Sequence, residues 1–458
     1  MTVPTPPQAP PRESVTIRPE AVRWASLLRR TPGPDAQEFR VQFGLPLDRP
    51  LIMTGHQAEF WHPGILAKYI AADAAAARLG AETAWVVVDQ DRAHSTTVRY
   101  PALHQDGRLD AHTLEFTTGP LPGPPGDAAA PAVSRGLERI TAAMRAHAGL
   151  PTLARRIAAA TTDLLRPLLP YRPAPPTIFA TELHRSALFA RLVDRMRREP
   201  ERCCAAYNAA VARHRSAGMR PLVADEVQDR YELPLWWLPP QGPRRHVYAE
   251  MLGEIPLDQL APRALLMTGL LRLAGCDLFI HGTGGGGAEE AAGHEGYDRV
   301  TEDWLHAWLG TEPAELAAIT VVTATRLLPL PGAEPPEPVA VARATWLAHH
   351  ARHSPDVLRD AYYGDAKARL VHAVRASPKP GRARLFRQLQ TLLAEYRRLH
   401  EPDLQAMHLQ AVLASARLRN AAVAFDRTWA FPLYPDSLLE SLRAEIIAAF
   451  SGAYALQS

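Results

Sequence analysis

Short apolar runs separated by helical patterns organise residues 17–330. Such runs lie at Leu51–Met53, Ala84–Val88, Ile178–Ala180, Leu222–Ala224, Leu278–Ile280 and Ile319–Val322. They do not alternate strictly with polar residues, which is typical of strands buried on both faces of a sheet. The first two runs flank a helical stretch, so they predict a β-α-β unit and a parallel sheet. The pattern therefore predicts an α/β fold with a doubly wound parallel sheet and helical insertions.

The C-terminal third has a different pattern. Its apolar positions step by four and three residues, the spacing of a coiled-coil seam, at Leu385, Leu389, Leu392, Tyr396 and Leu399. A turn at 400–402 ends this stretch, and 404–425 predicts a second amphipathic helix. A seam this short does not distinguish a helical hairpin from a dimer contact. We therefore expect a C-terminal helical hairpin or coiled-coil portion, through which the chain forms a homodimer.

Clusters among the 43 prolines mark the predicted boundaries, because proline interrupts both helices and strand ladders. Residues 1–16 predict a flexible proline-rich arm. Residues 17–330 predict the core with its connecting segments, and 340–458 predict the mainly helical region. The proline-rich stretch 118–131 predicts a surface loop or a boundary.

Composition narrows the class of protein. The chain has 51 basic and 48 acidic side chains, so a net charge of +3 gives no electrostatic argument for binding nucleic acid or an anionic membrane. Three cysteines exclude a disulfide framework and a four-cysteine zinc site. The N-terminus lacks the order of a signal peptide, and no apolar run is long enough to span a membrane. We therefore expect a soluble cytoplasmic protein.

The densest group of chemically active residues lies where the first predicted strand turns into its helix. It consists of Thr54, Gly55, His56, Gln57, His62 and Lys68. Open α/β sheets bind ligands at this edge, and a helix N-terminus offers N–H groups to an anion. We expect Gly55 to let the backbone approach a ligand, the two histidines to neutralise a charged transition state, and Lys68 to add a charge. The alternative is that His56 caps the helix and Lys68 is a surface residue.

Two carboxylates follow the second predicted strand. Asp89 and Asp91 lie at its carboxyl end and therefore at the same sheet edge as the first group. They are expected to hold a substrate ammonium, ribose hydroxyls or a hydrated Mg²⁺, or to take a proton from an attacking amine. The alternative is that an aspartate here caps the next turn. The six-residue spacing of His56 and His62 does not match the histidine pair of zinc helices, so we expect no protein-bound metal.

A glycine run follows the predicted strand at Leu278–Ile280. It begins at His281 and includes Gly282, Gly284 and Gly285, and such a run can form a nest of N–H groups around phosphate or carboxylate. It matches neither a P-loop nor the dinucleotide fingerprint, so a plain loop is an equal alternative. Arg263 precedes the run and is a candidate for gripping an anion.

Two of these segments resemble a known family. TGHQAEFWHPGILAK (Thr54–Lys68) and AWVVVDQD (Ala84–Asp91) resemble the bacillithiol-synthesis cysteine-adding enzymes of the BshC family. Tyr207-Asn208 and an arginine-led helix before the glycine run are similar to further family features. His56 stands where the family usually has a glutamine, and His62 has no counterpart in the common pattern. The resemblance implies a Rossmann-like core related to class I nucleotidyltransferases and a coiled-coil portion used for dimerisation.

The resemblance also implies a reaction, the attachment of cysteine to the amine of a glucosamine–malate conjugate. We therefore expect a ligase that joins an amino acid, cysteine first among the candidates, to a small amino-sugar-type acceptor, with ATP and Mg²⁺ as candidate cofactors. The expected catalytic residues are His56, His62, Lys68, Asp89 and Asp91. The expected binding residues are Thr54, Gly55, Gln57, Asn208, Arg263, His281, Gly282, Gly284 and Gly285. Two alternatives stay open: a nucleotidyl or group transferase with another product, and a non-catalytic dimeric scaffold.

Overall fold

A computed structural model describes most of the chain. The described residues are 11–28, 33–90, 96–105, 107–117, 125–169, 171, 175–225, 227–228, 230–286, 296–330 and 338–452. They form two compact units. The helical unit contains Pro101–Ala111 and Pro329–Asp426, and the sheet unit contains Arg12–Tyr100, His112–Leu328 and the chain from Arg427 onward.

Strands and helices alternate through the sheet unit, and helices alone make up most of the helical unit. The strands are β1 (Ser14–Arg18), β2 (Leu51–Gln57), β3 (Glu82–Val88), β4 (Thr97–Leu103), β5 (Leu109–Glu115), β6 (Thr177–Phe179), β7 (Ala224–Asp225), β8 (Arg230–Trp237), β9 (Arg245–Tyr248), β10 (Leu260–Pro262), β11 (Leu278–His281) and β12 (Ala318–Thr325). The helices are α1 (Trp24–Leu27), α2 (Pro34–Gln42), α3 (Pro63–Leu79), α4 (Pro131–Ala146), α5 (Leu153–Leu165), α6 (Ala187–Arg198), α7 (Pro200–Arg213), α8 (Ala264–Leu270), α9 (Thr283–Gly286), α10 (Tyr297–Leu309), α11 (Pro338–Ala351), α12 (Ala361–Ala376), α13 (Lys379–Leu399), α14 (Glu401–Ala424) and α15 (Asp436–Gly452).

The main sheet has six strands in the order β1-β12-β11-β2-β3-β6. All neighbouring pairs are parallel except β1 with β12, which is antiparallel. The predicted α/β class with a mostly parallel sheet is therefore confirmed. The strand order reverses between β2 and β11, because the chain adds β3 and β6 on one side of β2 and β11 and β12 on the other. A reversal of this kind opens a crevice at the carboxyl ends of the strands.

Both faces of the sheet are covered, which explains the continuous apolar runs. Leu51, Met53 and Val86 point into a core built with α2, α6, α7, α8 and α10, whose largest members include Trp304 and Trp308. The other face is covered by α3, which packs on β12 and is itself packed against α15. The residues of α3 from Pro63 to Ala76 are all buried. The position of α3 between sheet and helix therefore holds its side chains in fixed places.

The edge strand β1 was not predicted. Ser14–Arg18 pairs in register with β12 from Ser14 opposite Thr325 to Arg18 opposite Val321. Residues 14–16 of the predicted arm therefore belong to the sheet, whereas residues 1–10 lie outside the described part. One short apolar-polar alternation next to a proline-rich segment is a weak strand signal, because its pairing partner lies 300 residues away in the sequence.

The C-terminal part is mostly helical, as predicted. In the helical unit α13 ends at Leu399 and α14 begins at Glu401, so the turn falls where the sequence places it. The hydroxyl of Tyr396, a predicted seam residue, is buried and donates to the carbonyl oxygen of Ala351 at 2.9 Å. The coiled-coil portion, the dimer and the limits of the predicted domains stay predictions. Within the described residues, every helix is too short or too polar to cross a membrane.

Candidate functional site

A cavity of about 550 Å³ lies in the sheet unit at the carboxyl ends of β2, β3, β11 and β12. It therefore occupies the place where the strand order reverses. Its walls come from the segment after β2, the start of α3, the end of β8, the start of α8 and the start of α10. Of the residues predicted to be functional, the cavity lining contains Gly55, His56, Gln57, His62, Lys68, Arg263, His281, Gly282 and Gly284.

The start of α3 differs from the expectation. The helix begins at Pro63, and its capping residue is His62, whose Nδ1 accepts a hydrogen bond from the backbone N–H of Gly64 at 3.1 Å. The N–H groups of Ile65 and Leu66 donate to the carbonyl oxygen of His62. Because proline has no N–H and the next three donors are occupied, this helix N-terminus has no N–H group to offer an anion.

The structure explains why position 55 is a glycine, which the sequence does not reveal. A Cβ atom at this position would lie 2.1 Å from Cγ1 of Val86 and 2.3 Å from its carbonyl oxygen. The glycine therefore lets β2 approach β3, rather than a ligand approach the backbone. Thr54 is fully buried, and its hydroxyl donates to the carbonyl oxygen of Ile280 on β11 at 2.9 Å. Both residues thus fix the strands around the reversal, and only Gly55 also lines the cavity.

Lys68 is a buried amine in the cavity wall. Its side chain is 4 % exposed, and Nζ donates to the carbonyl oxygen of Gly55 at 2.7 Å. Among the described residues no carboxylate forms an ion pair with it. Burial lowers the pKa of Lys68 from its ordinary value to about 7, and the charge of Glu59 only partly opposes this. The surface position considered as an alternative is therefore wrong. The cavity wall instead holds a buried amine that is about half uncharged at neutral pH.

Two histidines share the wall with Lys68. His56 Nδ1 lies 3.1 Å from Oε1 of Glu59. Burial lowers the pKa of His56 below its ordinary value, although Glu59 opposes the change. Burial, followed by the influence of His56, lowers the pKa of His62 to about 4. Both rings are consequently neutral at pH 7, so the geometry favours proton transfer by the ring of His56 over the charge neutralisation expected from the sequence.

The two predicted aspartates do not line the cavity together. Asp89 accepts hydrogen bonds from the backbone N–H of Thr181 at 2.9 Å and from its hydroxyl at 2.6 Å. Burial raises the pKa of the Asp89 carboxyl, and these two bonds oppose the rise. Asp89 therefore binds the start of the segment after β6, 92 positions along the chain, rather than capping the next turn, and Asp91 lies outside the described residues. Gln90, a buried residue that was not predicted, reaches the cavity and donates to the carbonyl oxygen of Pro262 at 3.0 Å.

Another part of the cavity lining contains an arginine held by a buried carboxylate. Nη1 of Arg263 donates to Oε1 of Glu232 at 2.6 Å, and Nδ1 of His246 lies 2.6 Å from the same oxygen. Burial acts to raise the pKa of Glu232, but the backbone N–H of Val223 and then Arg263 outweigh it and hold this pKa below its ordinary value. The guanidinium of Arg263 is thereby fixed in position, 4.9 Å from the ring centroid of Trp236.

A second arginine lies over the ring of Trp236. The guanidinium carbon of Arg244 lies 4.2 Å from the ring centroid of Trp236, and both residues line the cavity. Neither was predicted, because β8 and the turn after it carry no motif. One signal was present in the sequence: an aromatic pair at the end of an apolar run, followed closely by two arginines.

The glycine run forms a short helical turn instead of an open nest. Gly282, Gly284 and Gly285 lie at or within the turn α9, which follows β11 directly. The ring of His281 points inward, with Nε2 at 3.2 Å from Oδ1 of the buried Asp298 and Nδ1 at 3.4 Å from the hydroxyl of Tyr297. His281 is therefore part of a buried polar cluster at the cavity wall.

Asn208 has a structural role, because its side chain binds the backbone of Leu222. Its amide oxygen accepts from the backbone N–H of Leu222 at 2.7 Å, and its amide nitrogen donates to the carbonyl oxygen of the same residue at 2.9 Å. The side chain thus holds the segment before β7 against α7, and it does not line the cavity. Its neighbour Tyr207 does line it.

Comparison of the chain with protein-family models, with curated proteins and with solved structures finds no match. The resemblance to the cysteine-adding enzymes therefore stays a prediction from motifs.

The described lining has a clear electrostatic character. Its ionisable side chains are basic or aromatic, and no carboxylate is among them. Arg244 and Arg263 fit an anionic group such as a carboxylate or a phosphate. Mg²⁺ prefers carboxylate and other oxygen ligands, so these residues do not fit a protein-bound magnesium ion. The cavity is suited to a small anionic molecule placed close to the amine of Lys68.

Proposed function

We propose that the protein is an enzyme that forms a carbon–nitrogen bond, joining an amino acid to the amine of a small acceptor, with cysteine the first candidate amino acid. The observation that carries this proposal is the buried amine of Lys68 in the wall of a cavity that Arg263 also lines. An acceptor amine must lose a proton before it attacks a carboxyl carbon. A base with a pKa near the working pH takes that proton efficiently.

The chain's own residues suggest how the reaction proceeds. Arg263 and Arg244 would hold an anionic group of one substrate. Lys68 would take a proton from the acceptor's ammonium group, and the resulting amine would attack a carboxyl carbon that already carries a leaving group from a prior activation. That leaving group departs as the carbon–nitrogen bond forms. His56 would pass that proton onward, because its neutral ring can accept one at one nitrogen and release one at the other. We derive no step through ATP or Mg²⁺, since the described lining does not fit the metal ion.

The strand order supports a proposal about the type of α/β core. Numbered in chain order, the five parallel strands lie in the order 3-2-1-4-5. The first five strands of the six-stranded, dinucleotide-type doubly wound sheet have this order. We propose on this basis a Rossmann-like core of the nucleotidyltransferase type. We further propose that α13 and α14 supply the coiled-coil contact of a homodimer, since Phe386, Leu409 and Leu413 on these helices are exposed.

The test is a mass-spectrometric assay of purified protein with cysteine and glucosamine–malate, with and without ATP and Mg²⁺, and then with other amino acids. A product one cysteinyl residue heavier than the acceptor is expected. The Lys68→Met variant should remain folded and lose at least about 100-fold in rate, the usual contribution of a positioned base. Lys379→Met is the matched control, because Lys379 is an exposed lysine of the helical unit.

The outcomes separate the alternatives. Nucleotide consumption without a cysteinyl product would favour a nucleotidyl or group transferase. If folded protein consumes no substrate in any combination, and Lys68→Met behaves as the unaltered protein does, the enzyme proposal is wrong. In that case the dimeric scaffold is the remaining alternative.

A further inference from the structure

The amine of Lys68 has the geometry of a nucleophile. Only one hydrogen-bond partner is present among the described residues, the carbonyl oxygen of Gly55, and it occupies one N–H group. An amine that donates to a carbonyl keeps its nitrogen lone pair available. Since Nζ also lies in the wall of a cavity of about 550 Å³, a small molecule can reach it. The position is fixed, because Lys68 belongs to the fully buried part of α3.

Proton carriers lie beside this amine. His56 and His62 line the same cavity, and His62 Nδ1 already accepts from the N–H of Gly64. His56 faces Glu59 across 3.1 Å, an arrangement that orients the ring and stabilises a proton on it. Condensation of an amine with a carbonyl compound needs such a group twice, to deliver a proton to the carbonyl oxygen and to help that oxygen leave as water.

Two arginines in the cavity lining indicate which class of carbonyl compound would bind. Arg263, held by the buried Glu232, and Arg244 are both directed to the cavity beside Trp236. Arginine side chains bind carboxylates by paired, charge-assisted hydrogen bonds. A small molecule that meets both the amine of Lys68 and these arginines carries a carbonyl group and a carboxylate. The 2-oxo acids are the smallest compounds that have both groups.

We propose that Lys68 forms an imine with small 2-oxo acids, whose carboxylate is held by Arg263 and Arg244. The nitrogen of Lys68 adds to the carbonyl carbon, two N–H hydrogens leave with the carbonyl oxygen as one water molecule, and a C=N bond remains. No electrons are transferred in this step. The inference goes beyond the proposed ligase activity, and it uses the same cavity residues, the amine of Lys68 and the two arginines, for a different reaction.

The test is reductive trapping with pyruvate as the probe. The full-length protein is incubated at neutral pH with pyruvate and cyanoborohydride, which reduces an imine to a stable secondary amine. Peptide mapping by mass spectrometry then locates the adduct. The chain has only three lysines, Lys68, Lys367 and Lys379, so each amine is followed separately, together with the α-amine. The two other lysines serve as internal controls at every time point.

We expect Lys68 to be modified at least about 100-fold faster than Lys379, because an ordinary lysine is almost fully protonated at neutral pH. Arg263→Lys should slow trapping by pyruvate about tenfold or more and leave trapping by acetone, which lacks a carboxylate, unchanged. Lys68→Arg should remain folded and show no cavity adduct. Equal modification of Lys68 and Lys379 in folded protein, or a Lys68 adduct insensitive to the carboxylate and to Arg263, would overturn the inference.

The trapping result is independent of the ligase assay. Rapid adduct formation in a protein without ligase activity would support the imine and count against the proposed function. Ligase activity without an adduct would do the reverse, and would leave Lys68 as a base only.

Discussion

Replacing Lys68 with methionine should stabilise the protein, and by an amount that depends on pH. The buried amine makes one hydrogen bond, to the carbonyl oxygen of Gly55, and its side chain is 4 % exposed. Methionine has a similar length, fills the same space along α3 and carries no charge. The substitution therefore removes the cost of burying an ammonium group while it keeps most of the packing.

The magnitude follows from the pKa of Lys68. The pKa of Lys68 is about 7 in the folded protein, compared with 10.5 for an ordinary lysine. This difference corresponds to a cost of about 5 kcal/mol in the free energy of folding when the amine is protonated. Because the folded-state pKa is depressed, this cost is fully present below about pH 7, where both states are protonated. It falls by about 1.4 kcal/mol per pH unit between about pH 7 and 10, where only the unfolded chain keeps the proton.

The measurement is urea unfolding followed by tryptophan fluorescence, for the unaltered protein and for Lys68→Met, at several pH values from about 6 to 10. We expect the difference in unfolding free energy to be largest at pH 6 and to shrink steadily toward pH 10. Lys379→Met provides the baseline, because an exposed lysine should give no such slope. A difference between the two proteins that does not change with pH would refute the argument that Lys68 is buried as an uncharged amine.

Three further expectations test the structural roles of other residues. Gly55→Ala should cost about 3 kcal/mol of unfolding free energy or prevent folding, since the added Cβ would meet Val86 at 2.1 Å; thermal melts check this. Asp89→Asn should cost about 1–3 kcal/mol, because the N–H and hydroxyl of Thr181 lose a charged acceptor, and pyruvate trapping at Lys68 should persist in the folded variant. The Asp360 carboxylate raises the pKa of His400, so this pair should stabilise the folded protein fully below about pH 6.5 and less as pH rises further; His400→Gln should abolish that dependence in the same urea assay.

The parallel sheet could be predicted because its strands are buried on both faces. Apolar runs such as Ala84–Val88 carry this signal locally, and the strand that contains it begins at Glu82 and ends at Val88. The edge strand Ser14–Arg18 carries almost none, since its partner β12 is distant in the sequence and its polar residues alternate with apolar ones. Antiparallel edge pairing depends on tertiary contacts that no local pattern reveals.

Only the part of the candidate site that comes from β2 and the start of α3 was predictable from the sequence. His56, His62 and Lys68 stand close in sequence because one strand–helix connection carries all three, so their clustering is visible in the chain. Their roles were not predictable, because tertiary structure decides them: burial lowers the pKa of Lys68, and His62 caps α3. Asp89 illustrates the opposite case, in which a carboxylate at the right sheet edge binds Thr181, 92 positions away in the sequence.

The part of the cavity lining that contains Arg263 and Trp236 could not be predicted from neighbouring residues in the sequence. Arg263 is held by Glu232, 31 positions earlier, and the two meet only because β10 pairs antiparallel with β8. Trp236 joins them from the end of the same strand. A single arginine in a chain rich in arginine carries little information until its buried partner is known.

The most direct test of the account is the ionisation of Lys68 itself. Lysine labelled with carbon-13 and nitrogen-15 at its amine end gives three signals in this chain, one for each lysine. Their chemical shifts, followed by NMR against pH, report when each amine loses its proton, and Lys68→Met assigns the cavity signal. We expect that signal to titrate near pH 7. A cavity signal that titrates near about 10.4, the value of an ordinary lysine, would contradict the account, because the cavity would then hold an ordinary ammonium group.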